Sequence, residues 1–108
     1  MALDIHTAYN YKQASEAMPD FSVAEELHDF IFSDIHSFLK EYEQFYKIYD
    51  YYSDVVFTTD DIDDLKKELY QINKKIKDSP KFKSFVNSLI KICDKAKNNQ
   101  FNIYFFCD

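Results

Sequence analysis

Residues 27–56 read LHDFIFSDIHSFLKEYEQFYKIYDYYSDVV, and the way this stretch folds decides the class of the whole chain. Leu27, Ile31, Ile35, Phe38, Tyr42, Phe45, Tyr49, Tyr52 and Val56 recur at spacings close to three and four, which is the period of an apolar stripe along an α-helix. The other side carries Glu25, Glu26, Asp29, Ser33, Glu41, Glu43, Asp50 and Asp54. The spacing predicts one long amphipathic helix or two in series. Its end is expected within residues 51–59, where aromatic and β-branched side chains lower helix propensity.

Working outward, Ser22 followed by Glu25 and Glu26 has the form of a capping box with acids in the first turn. Downstream, Thr58 or Thr59 caps a further helix with Asp60, Asp61, Asp63 and Asp64 near its start and Lys74, Lys75 and Lys77 near its end, a charge order that complements the macrodipole. Ile62, Leu65, Leu69, Ile72 and Ile76 form its buried stripe. Ser79-Pro80 opens the last helix, with Phe82, Phe85, Val86, Leu89, Ile92, Cys93 and Ala96 inward and Asn98 and Asn99 as its C-cap. At the termini, the alternation of Leu3, Ile5, Thr7, Tyr9 and Tyr11 and the apolar run Phe101–Phe106 predict two extended segments that pair. The expected fold is therefore mainly α, a bundle of three to four helices with a short two-stranded terminal β element. One domain spans 1–108.

Composition limits the chemistry. With 46% apolar and 30% charged residues the chain has what a folded core needs. It contains no glycine, which excludes the phosphate-cradling P-loop and the dinucleotide-binding turn. Neither an N-terminal leader pattern nor a membrane span is recognisable, and two cysteines, Cys93 and Cys107, do not make a disulfide framework. A cytosolic, reduced protein is expected. Charge is divided unevenly: through Asp64 fifteen acids face only Lys12, Lys40 and Lys47, net −12, whereas from Leu65 onward ten lysines face four acids, net +6. A strongly acidic surface suits a basic partner and disfavours nucleic acid. All 13 basic residues are lysine, so the bidentate arginine contacts that read phosphate and guanine are missing.

The sequence holds little that reads as a reactive constellation. Asp60-Asp61-Ile62-Asp63-Asp64 is dense in carboxylates, but a calcium-binding EF-hand loop needs glycine at its centre; these acids read as helix N-terminal charge. His28 and His36 would stand two helical turns, about 12 Å, apart, too far to chelate one ion. Neither cysteine has a histidine near it in sequence. No catalytic, cofactor or metal site is expected. The tyrosines are more informative: Tyr42, Tyr49 and Tyr52 fit the helical core stripe, leaving Tyr46 and Tyr51 to project among Glu43, Asp50 and Asp54. Tyrosine ringed by carboxylates is the composition of a hot spot for a basic protein. Glu43, Tyr46, Asp50, Tyr51, Asp54, Asp60 and Asp61 are the predicted partner-binding residues.

The run Ser84-Phe-Val-Asn-Ser-Leu-Ile-Lys-Ile-Cys-Asp-Lys-Ala-Lys97, followed by Phe101-Asn-Ile-Tyr-Phe-Phe-Cys-Asp108, resembles the tail of small bacterial immunity proteins encoded beside polymorphic and contact-dependent growth-inhibition toxins. The resemblance is one of helix, short polar link and final apolar strand. It implies a cytosolic protein that binds one cognate toxin domain, often a nuclease, and neutralises it by occlusion; joined to the acidic charge and the missing site chemistry, the expectation is a non-enzymatic monomer that forms a heterodimer with a basic, nuclease-type toxin domain and contacts neither nucleic acid nor membrane. No residue role carries over. Two alternatives stand beside it: a phage-encoded inhibitor that mimics nucleic-acid charge, as anti-CRISPR proteins do, and a homo-oligomeric scaffold joined through the terminal aromatic strand.

Overall fold

The computed structural model describes residues 2–77 and 79–107. Strand β1 (Ala2–Ala8) is followed by a one-and-a-half-turn helix α1 (Tyr11–Glu16), strand β2 (Phe21–Ala24) and helix α2 (Glu25–Ile31). Two 3₁₀ segments, Asp34–Glu41 and Phe45–Ile48, lead to strand β3 (Val55–Phe57). Helices α3 (Thr59–Lys75) and α4 (Pro80–Asn99) precede strand β4 (Asn102–Cys107). The strands form one antiparallel sheet in the order β2-β1-β4-β3.

This corrects the expected mainly-α bundle: the fold is α+β. The terminal segments do pair, with Leu3 opposite Cys107 and Ala8 opposite Asn102. They form the middle of a four-stranded sheet, however, not an isolated two-stranded element. Their central position explains why β4 is apolar without alternation, because both of its faces are covered. Ile103 and Phe105 join the main core, together with Leu3 and Ile5 from β1, Val23 from β2 and Phe57 from β3. On the reverse face Tyr104 packs with Ala8 and with Ala14 of α1, Phe106 lying against them. His6 lies on that reverse side with its ring centroid 5.2 Å from that of Phe106.

The long helix expected from residue 23 onward stops after two turns. Ser22 is not its cap: it sits in β2, and its hydroxyl donates to Asp4 Oδ1 across the strand pair at 2.6 Å. Past Ile31 the backbone tightens, and His36 adopts φ −113°, ψ 36°. The ring Nδ1 of His36 lies 3.0 Å from the Ile31 carbonyl oxygen, at the helix end whose carbonyls need partners. Buried positions then fall at Leu39, Tyr42, Phe45, Ile48 and Tyr51, one in every three residues. Leu39, Phe45 and Ile48 lie in the 3₁₀ segments, and Tyr42 and Tyr51 in the links beyond them. Several residues assigned to the α-helical stripe are instead exposed: Ile35 71%, Tyr49 52%, Tyr52 61% and, on the outer side of β3, Val56 44%. His28 and His36 consequently belong to different elements and share no helix face.

The later helices follow the predicted periodicity. Asp61 Oδ2 accepts from the Thr58 backbone N–H and hydroxyl at 3.2 and 3.0 Å, and Ile62, Leu65, Leu69 and Ile72 are buried. Ser79 Oγ accepts from the Phe82 N–H, with Pro80 at the first helical position. The C-cap lies one residue beyond the asparagines, at Gln100, whose φ of 59° is left-handed; the Phe101 N–H donates to the Ala96 carbonyl at 2.8 Å and closes that turn. Cys93 is fully buried on α4, and burial pushes its thiol pKa up to about 12.

Candidate functional site

A surface of exposed aromatics and acids is assembled where α2 meets the second 3₁₀ segment and the turn that follows it. Helix α2 contributes Asp29 and, just past its end, Phe32; the later segment contributes Tyr46, Tyr49, Asp50 and Tyr52. The rings of Tyr46 and Tyr49 stack with centroids 5.0 Å apart and planes 13° from parallel. Both meet Phe32 edge-on, at 6.0 and 5.7 Å.

Irregular backbone has few ladder bonds of its own, so this surface is held by side chains from elsewhere. Glu68 on α3 accepts the N–H groups of Gln44 at 3.1 Å and Phe45 at 2.9 Å, capping the 3₁₀ segment from across the core. The Nε2 of His28, a buried residue of α2, lies 2.7 Å from the Ile48 carbonyl oxygen. The Tyr51 hydroxyl donates to the Val23 carbonyl at 3.0 Å, tying the turn to β2, and burial pushes its pKa up. Asp50 accepts from the Ser53 hydroxyl at 2.7 Å and the Tyr52 N–H at 2.9 Å, and these two bonds hold its carboxyl below its ordinary range.

Of the predicted contact residues, Glu43 and Asp50 are exposed and Tyr46 is half-buried in the stacked pair. Tyr51 is corrected: only 5% of it is exposed, so it anchors the surface without presenting itself to a partner. Asp54 is exposed, yet its Oδ1 accepts from the Cys107 N–H at 2.9 Å and so helps close the sheet. Asp60 is exposed at the start of α3, where Asp61 is occupied by the cap. Sequence reasoning placed Tyr49 and Tyr52 in the core and did not select Asp29 or Phe32. The apolar spacing of three through Leu39, Tyr42, Phe45, Ile48 and Tyr51 is the sequence signal that sets Tyr51 apart from its neighbours.

His28, Phe32, Tyr49, Tyr51 and Tyr52, with Asp29 and Asp50, line a recess of about 440 Å³. The larger concavity, about 770 Å³, lies between α2 and the start of α4, among Leu27, Phe30 and Pro80, with Glu26 and Lys81 as its charged members. Size favours the second, chemistry the first: paired carboxylates and several rings around one opening offer specific recognition, whereas the larger space offers mainly apolar contact. Among the described residues no group of three or more His, Cys, Asp or Glu is placed to hold a metal ion. No helix among them is long and apolar enough to cross a membrane.

Comparison with protein-family models, curated proteins and solved structures finds no match. The functional reading therefore rests on the chemistry of this surface and on the resemblance of the C-terminal run.

Proposed function

We propose that the protein is a non-catalytic inhibitor of the immunity type, which docks its acidic, tyrosine-rich surface on a basic, nuclease-type toxin domain and blocks it by occlusion. The observation that carries the reading is the Tyr46–Tyr49 stack, beside exposed Tyr52, Asp29 and Asp50 and held from beneath by Glu68 and Tyr51. Leaving large rings at the surface forfeits their burial, and fixing them in advance lowers the entropy lost when a partner covers them. Acids around them steer a cationic partner toward the rings.

Occlusion requires neither a nucleophile nor a cofactor, which agrees with the lack of a reactive constellation in the sequence. The scaffold alternative loses its proposed interface, because β4 lies between β1 and β3 and both of its edges are taken. The test is association with toxin domains encoded beside the gene, followed against salt. Asp29→Lys with Glu43→Lys is expected to slow association and flatten its salt dependence. Tyr49→Ala is expected chiefly to speed dissociation, by about 2 kcal/mol for a hot spot. Charge reversals that leave low-salt association unchanged overturn the docking surface. Competition with DNA or RNA for a nucleic-acid enzyme, without any toxin partner, transfers the assignment to the charge-mimicking inhibitor.

A further inference from the structure

We propose that the recess between α2 and the turn at residues 49–53 is a receptor for one cationic side chain, a lysine or arginine, projected by the partner. The inference rests on the reading of a basic partner and specifies which of its groups enters and where. Phe32, Tyr49 and Tyr52 line the space over buried Tyr51: Phe32 meets Tyr49 edge-on with centroids 5.7 Å apart, and Tyr52 meets Tyr51 edge-on with centroids 5.6 Å apart. A cation that reaches an exposed ring face at this opening is attracted by the ring quadrupole, and the attraction strengthens as water is excluded.

The charged groups at the opening agree with this. Asp29 and Asp50 line the recess and no lysine does. Asp50 is held in place by Ser53 and the Tyr52 N–H, so its negative charge is positioned before any ligand arrives. Asp29 is exposed on α2. His28, at the base of the recess, directs Nε2 to the Ile48 carbonyl oxygen at 2.7 Å, and its ring packs 4.8 Å from Phe32 and 4.9 Å from Tyr51. The base is therefore packed, and the opening is aromatic and anionic. The stem of a lysine or arginine would lie against the rings while its head reaches the carboxylates, the ordinary behaviour of these amphipathic side chains.

The test needs no partner. The full chain is titrated by NMR with N-acetyl-lysine methylamide, N-acetyl-arginine methylamide and tetramethylammonium, with N-acetyl-norleucine methylamide as the uncharged control. Saturable shifts are expected at residues 28–32 and 49–53, with a dissociation constant on the order of millimolar. Binding should be at least about tenfold weaker for norleucine, because it lacks the charge that both rings and carboxylates recognise. The lysine and arginine derivatives show which head group is preferred, and tetramethylammonium shows whether the rings alone suffice. Asp29→Asn is expected to weaken the cationic probes while leaving norleucine unchanged, and Tyr49→Leu with Tyr52→Leu to remove saturable binding. Since the double aromatic variant could disturb the fold, Asp29→Asn at an exposed position decides the matter if that variant misfolds. Equal response to norleucine, or shifts that map elsewhere, overturns the recess even if a basic partner binds the protein. Saturable cation binding without any basic partner overturns the inhibitor reading and leaves the recess standing.

Discussion

Between Thr58 and Cys107 two long helices and a central strand supply most of their own backbone hydrogen bonds, and their apolar stripes follow helical or extended periods over many residues. Between Glu25 and Asp54 the same core is reached by a two-turn helix, two 3₁₀ segments and a turn, whose backbone groups are met by Glu68, His28, Tyr51 and Asp50 side chains. The first region is lysine-rich and regular; the second is acidic, tyrosine-rich and irregular. The contrast shows how one small domain divides its labour. Regular elements bury a continuous core, and an irregular segment pinned to it turns several aromatic rings outward, which an α-helix with the same residues would have directed elsewhere.

The comparison breaks most decisively if the irregular segment is not part of the core. Phe45 in the second 3₁₀ segment and Phe82 on α4 are both fully buried, so truncation of either to alanine should cost about 3–5 kcal/mol in urea unfolding. A Phe45→Ala cost far below that of Phe82→Ala would mean that residues 25–54 lie on the core without contributing to it. Glu68→Ala removes one carboxylate from two backbone donors and is expected to cost roughly 2 kcal/mol. Hydrogen exchange should accelerate at Gln44 and Phe45 while the α4 amides are little changed, and uniform acceleration would dissolve the distinction between the two regions.

Tyr51→Phe sharpens the contrast on the display side. It deletes the hydroxyl that binds the Val23 carbonyl and should destabilise by about 1 kcal/mol. Its effect on partner association should be small beside that of Tyr49→Ala. A hot-spot loss from Tyr51→Phe in a folded protein would show that Tyr51 meets the partner after all.

The regular side carries the corresponding test at Cys93, whose thiol is pushed up to about 12 from an ordinary value of 9.0. The fold keeps this thiol neutral. As pH rises above about 9 the unfolded chain loses the proton and the folded chain does not, so stability falls until pH reaches about 12. At pH 10 the contribution is about 1 kcal/mol. Cys93→Ala should therefore flatten the loss of stability above pH 9, once its own cavity cost at pH 7 is subtracted. An unchanged slope means that Cys93 is more accessible than its burial indicates.

Helices α3 and α4 were legible because each repeats its apolar stripe over four or more turns and opens on a recognisable cap: Thr58 with Asp61, and Ser79 with Pro80. The pairing of the N-terminal segment with the C-terminal strand was legible from alternation and β-propensity, but it was expected to run through Tyr11, whereas β1 ends at Ala8 and Tyr11 opens α1 behind its Asn10 cap. Strands β2 and β3 were not, since four and three residues leave too few side chains for alternation to register. At the site, Glu43 and Asp50 are exposed and Tyr46 is half-buried, whereas Tyr51 is buried and Tyr49 and Tyr52 are exposed, the reverse of the expected stripe. An α-helix turns about 100° per residue and a 3₁₀ helix about 120°. The two 3₁₀ segments are also broken at Tyr42 and end at Ile48, so the helical phase is lost before Tyr51, whose hydroxyl is drawn inward to the Val23 carbonyl. Sequence by itself determined the charge division, the lack of glycine-dependent chemistry, the two late helices and the tendency of the termini to pair, because these depend on composition or on local patterns repeated many times. The four-stranded sheet, the two 3₁₀ segments at 34–41 and 45–48 and the identity of the exposed tyrosines depend on contacts distant in sequence, such as Glu68 with Gln44 and Tyr51 with Val23, and only the tertiary structure decided them.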